Sequence, residues 1–208
     1  ALVTAGPTHE YIDPVRFISN KSSGKQGYEI AKSLSENGFD TTLISGPVNL
    51  NSIKGVNLIK VKSAEEMLEA TLNNLPTDVA IFSAAVGDFK VKNKKKEKIK
   101  KDKISELSLE RNTDILELIS NHNSLRPKIV VGFAAETSSL KNNSIKKLSE
   151  KNCDWIIAND ISKNDIGFES DFNKVSIFYK NKSEENLPKM KKSSLANEIV
   201  NRIISQLN

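Results

Sequence analysis

The sequence predicts an α/β domain built on a doubly wound, mostly parallel sheet, and three observations predict it. Apolar runs alternate with segments of helical spacing along most of the chain. The runs Asp78–Ala85, Lys128–Ala135 and Asp154–Asn159 are apolar nearly throughout, as strands covered on both faces are. Gly-Pro breakers, Gly6-Pro7 and Gly46-Pro47, close the first two strands. With 208 residues, 38% of them hydrophobic and 27% charged, the chain suits a single domain over residues 1–208 with one sizeable core.

Each element follows in order. Ala1–Ala5 reads as a strand, and a polar loop runs from Thr8 to about Ser23. Gly24–Asn37 has helical spacing, with Tyr28, Ile30, Ala31 and Leu34 as its apolar residues and Gly38 as C-cap. Thr41–Ser45 and Asn57–Val61 are the second and third strands. Ser63 with Glu66 has the form of a capping box opening a helix to about Leu72. Asp78–Ala85 is the fourth strand. Helices over about Thr113–Ser120 and Ser138–Lys151 alternate with the strands Lys128–Ala135 and Asp154–Asn159. Val175–Tyr179 and a helix from about Ser193 to Leu207 follow. Two segments break the rhythm. Lys90–Lys103 is almost entirely charged and reads as a disordered loop or, from its place right after a buried strand, as a ligand lid. Ile104–Leu109 then reads as a short exposed strand.

Composition narrows the function classes. No stretch approaches the roughly 20 apolar residues that cross a bilayer, and Ala1–Ala5 carries no basic leader or cleavage signal. The lone Cys153 forms no internal disulfide, which fits a reducing compartment. A cytoplasmic protein without membrane contact is expected. The net charge of +5 fits a polyanionic ligand, although a chain rich in Lys, Asn and Ile gains lysines without any function.

In an open parallel sheet, ligands bind outside the carboxyl ends of the strands. That rule selects Gly6-Pro7-Thr8, Ala84–Phe89, Gly132–Thr137 and Asn159-Asp160. The first helix opens Ser22-Ser23-Gly24-Lys25-Gln26-Gly27, where exposed N–H groups and the helix dipole favour a phosphate. A plain N-cap explains the same residues. Arg16 suits bidentate contact with a carboxylate or phosphate, and Asn20 suits donation to a developing oxyanion. As isolated loop residues both are more often solvated. Asp88 follows a buried strand, where acids hold a metal, a ligand hydroxyl or a turn. Lys147 and Lys151 share a helix face at i, i+4; they could reach a triphosphate, but spacing alone favours a solvated pair.

Longer blocks are more specific. Val3-Thr4-Ala5-Gly6-Pro7-Thr8 continues through Asp13-Pro14-Val15-Arg16-Phe17-Ile18-Ser19-Asn20 to Ser22-Ser23-Gly24-Lys25. After it come Ala84-Ala85-Val86 with Asp88-Phe89, then Lys98-Ile99-Lys100-Lys101, Gly132-Phe133-Ala134-Ala135-Glu136-Thr137 and Ala158-Asn159-Asp160. In this order the blocks resemble phosphopantothenoylcysteine synthetase of the bacterial type, over nearly the whole chain. Gln26 departs from a common Met, and Thr113 stands where the family usually has Pro.

The resemblance implies a Rossmann-like fold and a two-step ligation in coenzyme A biosynthesis. The carboxylate of 4'-phosphopantothenate attacks the α-phosphate of a nucleotide and releases pyrophosphate. The amine of L-cysteine then attacks the acyl-nucleotide and releases the nucleoside monophosphate. Carried over, Asn20 holds the substrate carboxyl and the acyl-nucleotide, Arg16 helps to order the loop, and Lys98 completes the catalytic set. Ser23, Gly24 and Lys25, with Ala84 and Ala85, match substrate contacts. Gly6, Thr8, Asp88, Lys98, Thr113, Asp114, Ile115, Leu116, Phe133, Lys147 and Lys151 match the nucleotide site. The Lys-Ile-Lys-Lys motif accompanies CTP, with ATP as the alternative. Mg²⁺ is expected with CTP, no protein ligand is assigned to it, and no flavin is expected in this domain. Family members are homodimers, which makes Ile104–Leu109 a small antiparallel dimerisation segment. Bacterial relatives often carry a flavin-dependent phosphopantothenoylcysteine decarboxylase ahead of this domain.

Two other classes fit less well. A nicotinamide-dependent oxidoreductase should show G-x-G-x-x-G and an acid ending its second strand, yet that strand ends Ser45-Gly46. A nucleic-acid module should interleave aromatics with its lysines, and Lys90–Lys103 contains only Lys, Val, Asn, Glu, Ile and Asp.

Overall fold

The structure is a computed structural model that describes residues 1–100, 106–160 and 170–208. Its strands are β1 (Leu2–Ala5), β2 (His9–Tyr11), β3 (Phe17–Ser19), β4 (Thr41–Ser45), β5 (Val56–Lys60), β6 (Val79–Phe82), β7 (Phe89–Val91), β8 (Leu109–Arg111), β9 (Ile129–Glu136), β10 (Trp155–Asp160), β11 (Phe172–Asn173), β12 (Val175–Tyr179), β13 (Glu184–Asn186) and β14 (Met190–Lys191). The helices are α1 (Lys25–Glu36), α2 (Ala64–Asn73), α3 (Ile115–Ser120), α4 (Leu140–Lys151) and α5 (Lys192–Leu207).

Eight strands form one sheet in the order β13-β12-β10-β9-β6-β1-β4-β5. From β5 to β10 every pairing is parallel, whereas β12 and β13 add on antiparallel. The chain builds outward from β1 in one direction through β4 and β5, then returns to continue through β6, β9 and β10. The order therefore reverses between β1 and β6, and a crevice opens there at the carboxyl ends of the strands.

Alternation along the strands divides the core by face. Val3, Ala5, Leu43, Ile81, Val131 and Ile157 pack against Tyr28, Ile30 and Leu34 of α1 and Leu195, Ile199 and Ile203 of α5. On the other face Leu2, Ile44, Ala80, Val130 and Ile156 meet Met67 of α2, Ile119 of α3 and Leu148 of α4. Each buried Leu or Ile contributes about 1.5–3 kcal/mol relative to exposure, so the two layers fix the helix ends that meet at the crevice. Ser63 caps α2 by accepting from the Glu66 N–H at 3.2 Å, while the Glu66 carboxylate accepts from the Lys62 N–H at 2.6 Å.

Three expectations need correction. The polar loop from Thr8 to Ser23 contains the hairpin β2–β3, in which the His9 and Phe17 rings stack at 3.8 Å. The strand expected over Ile104–Leu109 is displaced. Residues 104 and 105 lie outside the described residues, 106–108 carry no regular structure, and β8 pairs with β7 of the same chain. The helix expected from Ser138 begins at Leu140, because Ser139 adopts a left-handed φ of 50°. Among the described residues no helix is long and apolar enough to cross a membrane.

Candidate active-site cleft

The crevice at the switch point is a cleft of about 1110 Å³. Its floor is the segment that leaves β6. Ser83 still donates to the Thr4 carbonyl through backbone (3.2 Å) and side chain (2.6 Å), and the Ala85 N–H donates to the Gly6 carbonyl at 2.9 Å. The Gly87 N–H then donates to Thr8 Oγ1 at 2.9 Å, which sets the turn into Asp88. On the far side, Asn112 donates from its backbone to the Asp88 carbonyl (2.9 Å) and from its side chain to the Gly87 carbonyl (2.8 Å). The loop Ala84–Asp88 is thus pinned between β1 and the turn into α3.

The amino end of α1 forms one wall. Gly24 is its N-cap, with φ of 75° and no side-chain cap, so a serine N-cap does not explain Ser22-Ser23. The left-handed φ favours glycine, and the uncapped first turn faces the cleft with Lys25, Gln26 and Gly27 in its lining. Lys192, the first residue of α5, lines the same wall although it is buried. The Gln26 side-chain amide donates to the Lys192 carbonyl at 3.2 Å and joins the two helix ends. Burial lowers the Lys192 pKa to about 8, repulsion from Lys25 adds to the shift, and Asp171 opposes it.

The opposite wall comes from α3 and α4. Lys147 donates to the Phe133 carbonyl at 3.2 Å, and Lys151 lies between Asp114 (3.0 Å) and Glu117 (2.7 Å). Burial disfavours the Lys151 ammonium, but the two carboxylates outweigh it and its pKa is raised. Asp114 also caps α3, accepting from the Glu117 N–H at 2.9 Å. Lys147 and Lys151 are therefore cleft residues, not the solvated pair that spacing alone favours.

The expected site residues fall into two groups. Ser23, Gly24, Lys25, Ala84, Ala85, Asp88, Thr113, Asp114, Ile115, Leu116, Phe133, Lys147 and Lys151 all line the cleft. Gly6 and Thr8 stand behind its floor. Asn20 reaches the rim, donating to the Ala85 carbonyl at 3.0 Å and more weakly to that of Val86 at 3.4 Å. Arg16 pairs with Asp13, and Lys98 is exposed in the segment after β7; neither lines the cleft. The residue reading missed Lys192, Asn173 and Arg111, which do line it. Only the start of the last helix hinted at Lys192, since nothing local ties it to the first helix.

A doubly wound sheet with a switch-point crevice, lined by cations from helices on both faces beside Asp88, Asp114 and Glu117, defines an α/β domain of the ligand-binding type. The family model described as "DNA/pantothenate metabolism flavoprotein C-terminal domain" matches residues 1–207, and the chain belongs to that family. It is 44% identical over 207 residues to the coenzyme A biosynthesis bifunctional protein CoaBC of Haemophilus influenzae, covering 98% of this chain and 51% of that protein. The Bacillus subtilis protein of the same name is 44% identical over 205 residues, with 97% and 50% covered. The chain thus spans about half the length of the curated relatives it matches. Among solved structures, the C-terminal domain of a CoaBC protein superimposes with a TM-score of 0.82 at 38% identity, covering 99% of this chain and 94% of that one. A Cab2 variant in complex with phosphopantothenate-cysteine shares the fold at a TM-score of 0.76 and 15% identity, covering 99% and 85%. The resemblance read from Val3–Asn20 and Gly132–Thr137 is borne out at the level of the family.

Proposed function

We propose that this domain joins 4'-phosphopantothenate to L-cysteine with CTP, giving 4'-phosphopantothenoylcysteine, CMP and pyrophosphate. The observation that carries it is the arrangement of charge in the cleft. Lys25 and Lys192 enter from the α1 and α5 face, and Lys147 and Lys151 from the α4 face. Two separated lysine pairs, partly offset by Asp171 on Lys25 and by Asp114 and Glu117 on Lys151, suit a reaction that brings two phosphorylated substrates together by exchanging those partners. A carboxylate resists attack by an amine until its oxygen becomes a good leaving group, so the pantothenate carboxylate first takes the α-phosphoryl group and expels pyrophosphate. The cysteine amine then forms the amide and expels CMP. Positioning and charge stabilisation supply the catalysis, and no protein nucleophile is required. Cys153, buried behind β10, takes no part. Asn20 orients the acyl group in this reading, which its hydrogen bond to the Ala85 carbonyl at the cleft rim supports.

Among the described residues no group of three or more His, Cys, Asp or Glu side chains could hold a metal ion. Mg²⁺, expected with the triphosphate, would offset phosphate charge there; no protein ligand is assigned to it. Exposed apolar side chains on two adjoining hairpins, Val15, Phe17 and Ile18 with Phe89 and Leu109, support a homodimer through that face. A monomer in sedimentation at micromolar concentration would count against it. In the cell this cytoplasmic ligase acts with, or fused to, the flavin-dependent decarboxylase that uses its product.

The test is direct. With 4'-phosphopantothenate, L-cysteine and Mg²⁺, pyrophosphate release is expected with CTP and much less with ATP. Equal rates would overturn the choice of nucleotide. No pyrophosphate with either would overturn the reaction.

A further inference from the structure

Asp13 sits in the turn of the β2–β3 hairpin with no exposed surface, and the chemistry above makes no use of it. Its two oxygens have different partners. Oδ1 accepts the backbone N–H groups of Val15 and Arg16, both at 2.9 Å, and so shapes the turn. Oδ2 accepts the Arg16 guanidinium through Nε at 3.0 Å and through its terminal amine, and it also accepts the Ile99 N–H at 3.1 Å. The same Arg16 amine donates to the Ile99 carbonyl at 2.9 Å. One ion pair therefore holds both backbone groups of Ile99.

A turn alone needs only the first oxygen, which a neutral Asn or Ser would also supply. A buried carboxylate is costly unless fully compensated, and here the compensating donors come from Arg16 and a segment far along the chain. That segment is pinned elsewhere too. The Lys95 N–H donates to the Ile12 carbonyl at 3.1 Å, and the Lys94 ammonium lies 5.2 Å from the Tyr11 ring centroid. The lysine-rich stretch is thus strapped along the hairpin. The other end of this hairpin bears Asn20 on the cleft rim, with Ser19 Oγ donating to the Thr8 carbonyl at 2.8 Å.

We propose that Asp13 is a positioning residue for the first half-reaction: through Arg16 and Ile99 it holds the Lys98 backbone in fixed register with the hairpin that carries Asn20. The role rests on Lys98 meeting the nucleotide, as the family resemblance implies for a residue that is exposed and outside the cleft lining in this structure.

Asp13→Asn separates the latch from the turn. The amide oxygen keeps the Val15 and Arg16 N–H groups, while an NH₂ group replaces the oxygen on which three N–H donors converge. The expected result is at least a tenfold fall in pyrophosphate release. A raised KM for CTP should accompany it, with the KM for cysteine unchanged because cysteine enters only the second step. Trypsin should cut the folded protein after residues 92–98 at least tenfold faster. Asp13→Ser keeps an acceptor for the turn but removes Oδ2 without touching the Lys98 backbone, so it should reproduce both effects and decides the matter if Asp13→Asn does not fold. Lys98→Ala is the control. If Lys98→Ala is impaired while the other two variants keep the parent's rate and cleavage pattern, the latch is overturned. If Lys98→Ala releases pyrophosphate normally, the proposed role of Lys98 fails and the positioning role falls with it.

Discussion

Gly27→Ala adds one methyl group where α1 crosses the sheet. Its Cβ would stand 2.5 Å from Ser83 Oγ and 2.6 Å from Ala5 Cβ, against about 3.5–4.0 Å for an ordinary carbon contact. Neither neighbour yields easily. Ser83 Oγ is tied to the Thr4 carbonyl at 2.6 Å, and Ala5 Cβ is carried rigidly on buried β1. The first turn of α1 must therefore retreat by about 1 Å. Overpacking of this kind costs about 1–3 kcal/mol, and replacing Gly by Ala in a helix returns at most about 1 kcal/mol. At the middle of that range the net loss is about 1 kcal/mol, which for a chain of this size lowers Tm by about 2–4 °C. The retreat also draws Lys25 away from Ala84 and Ala85, so KM for a phosphorylated substrate should rise several-fold. Calorimetry and initial-rate kinetics on the same sample measure both. A variant as stable as the parent, with unchanged KM values, would mean that helix propensity dominates and the close approach does not set the cleft.

Lys192 makes the site pH-sensitive. Its pKa is about 8 in the folded chain against 10.5 ordinarily, so below about pH 8 the buried ammonium is charged in both states and its cost is fully present. Between those values the folded chain loses the proton first, and the lysine's contribution to stability improves as pH rises. An anion bound beside it raises the pKa again; calorimetry at about pH 8.5 in two buffers should find proton uptake that Lys192→Met abolishes, and equal heats would refute this. The Cys153 thiol is pushed up to about 12 by burial, so iodoacetamide at about pH 8 should label only the unfolded chain; rapid labelling of the native protein would contradict the placement. Asn20→Ala should lose acyl transfer while CTP still binds, and normal ligation would remove Asn20 from the catalytic set.

The parallel sheet is legible because β6, β9 and β10 are buried on both faces and show as apolar runs. The hairpin β2–β3 is not, because its strands are short and its ordering contacts, His9 on Phe17 and Asp13 on Ile99, connect residues that look like loop. Lys147 and Lys151 show the limit on the site side. Their i, i+4 spacing reveals a shared face but not that α3 lies opposite it, which is what turns a surface pair into cleft residues. Lys192 was illegible for a related reason: its place beside α1 depends on packing between the first and last helices.

Lys151 already has company. Asp114 and Glu117 occupy the contacts that an arriving polyanion would seek, so the newcomer gains only the difference between its grip and theirs. On the proposed reaction, those carboxylates would take the place of a departing monophosphate. If the proposed ligation holds, a cleft that carries its own substitute counterions would let go of a bound anion more readily than a bare cationic one.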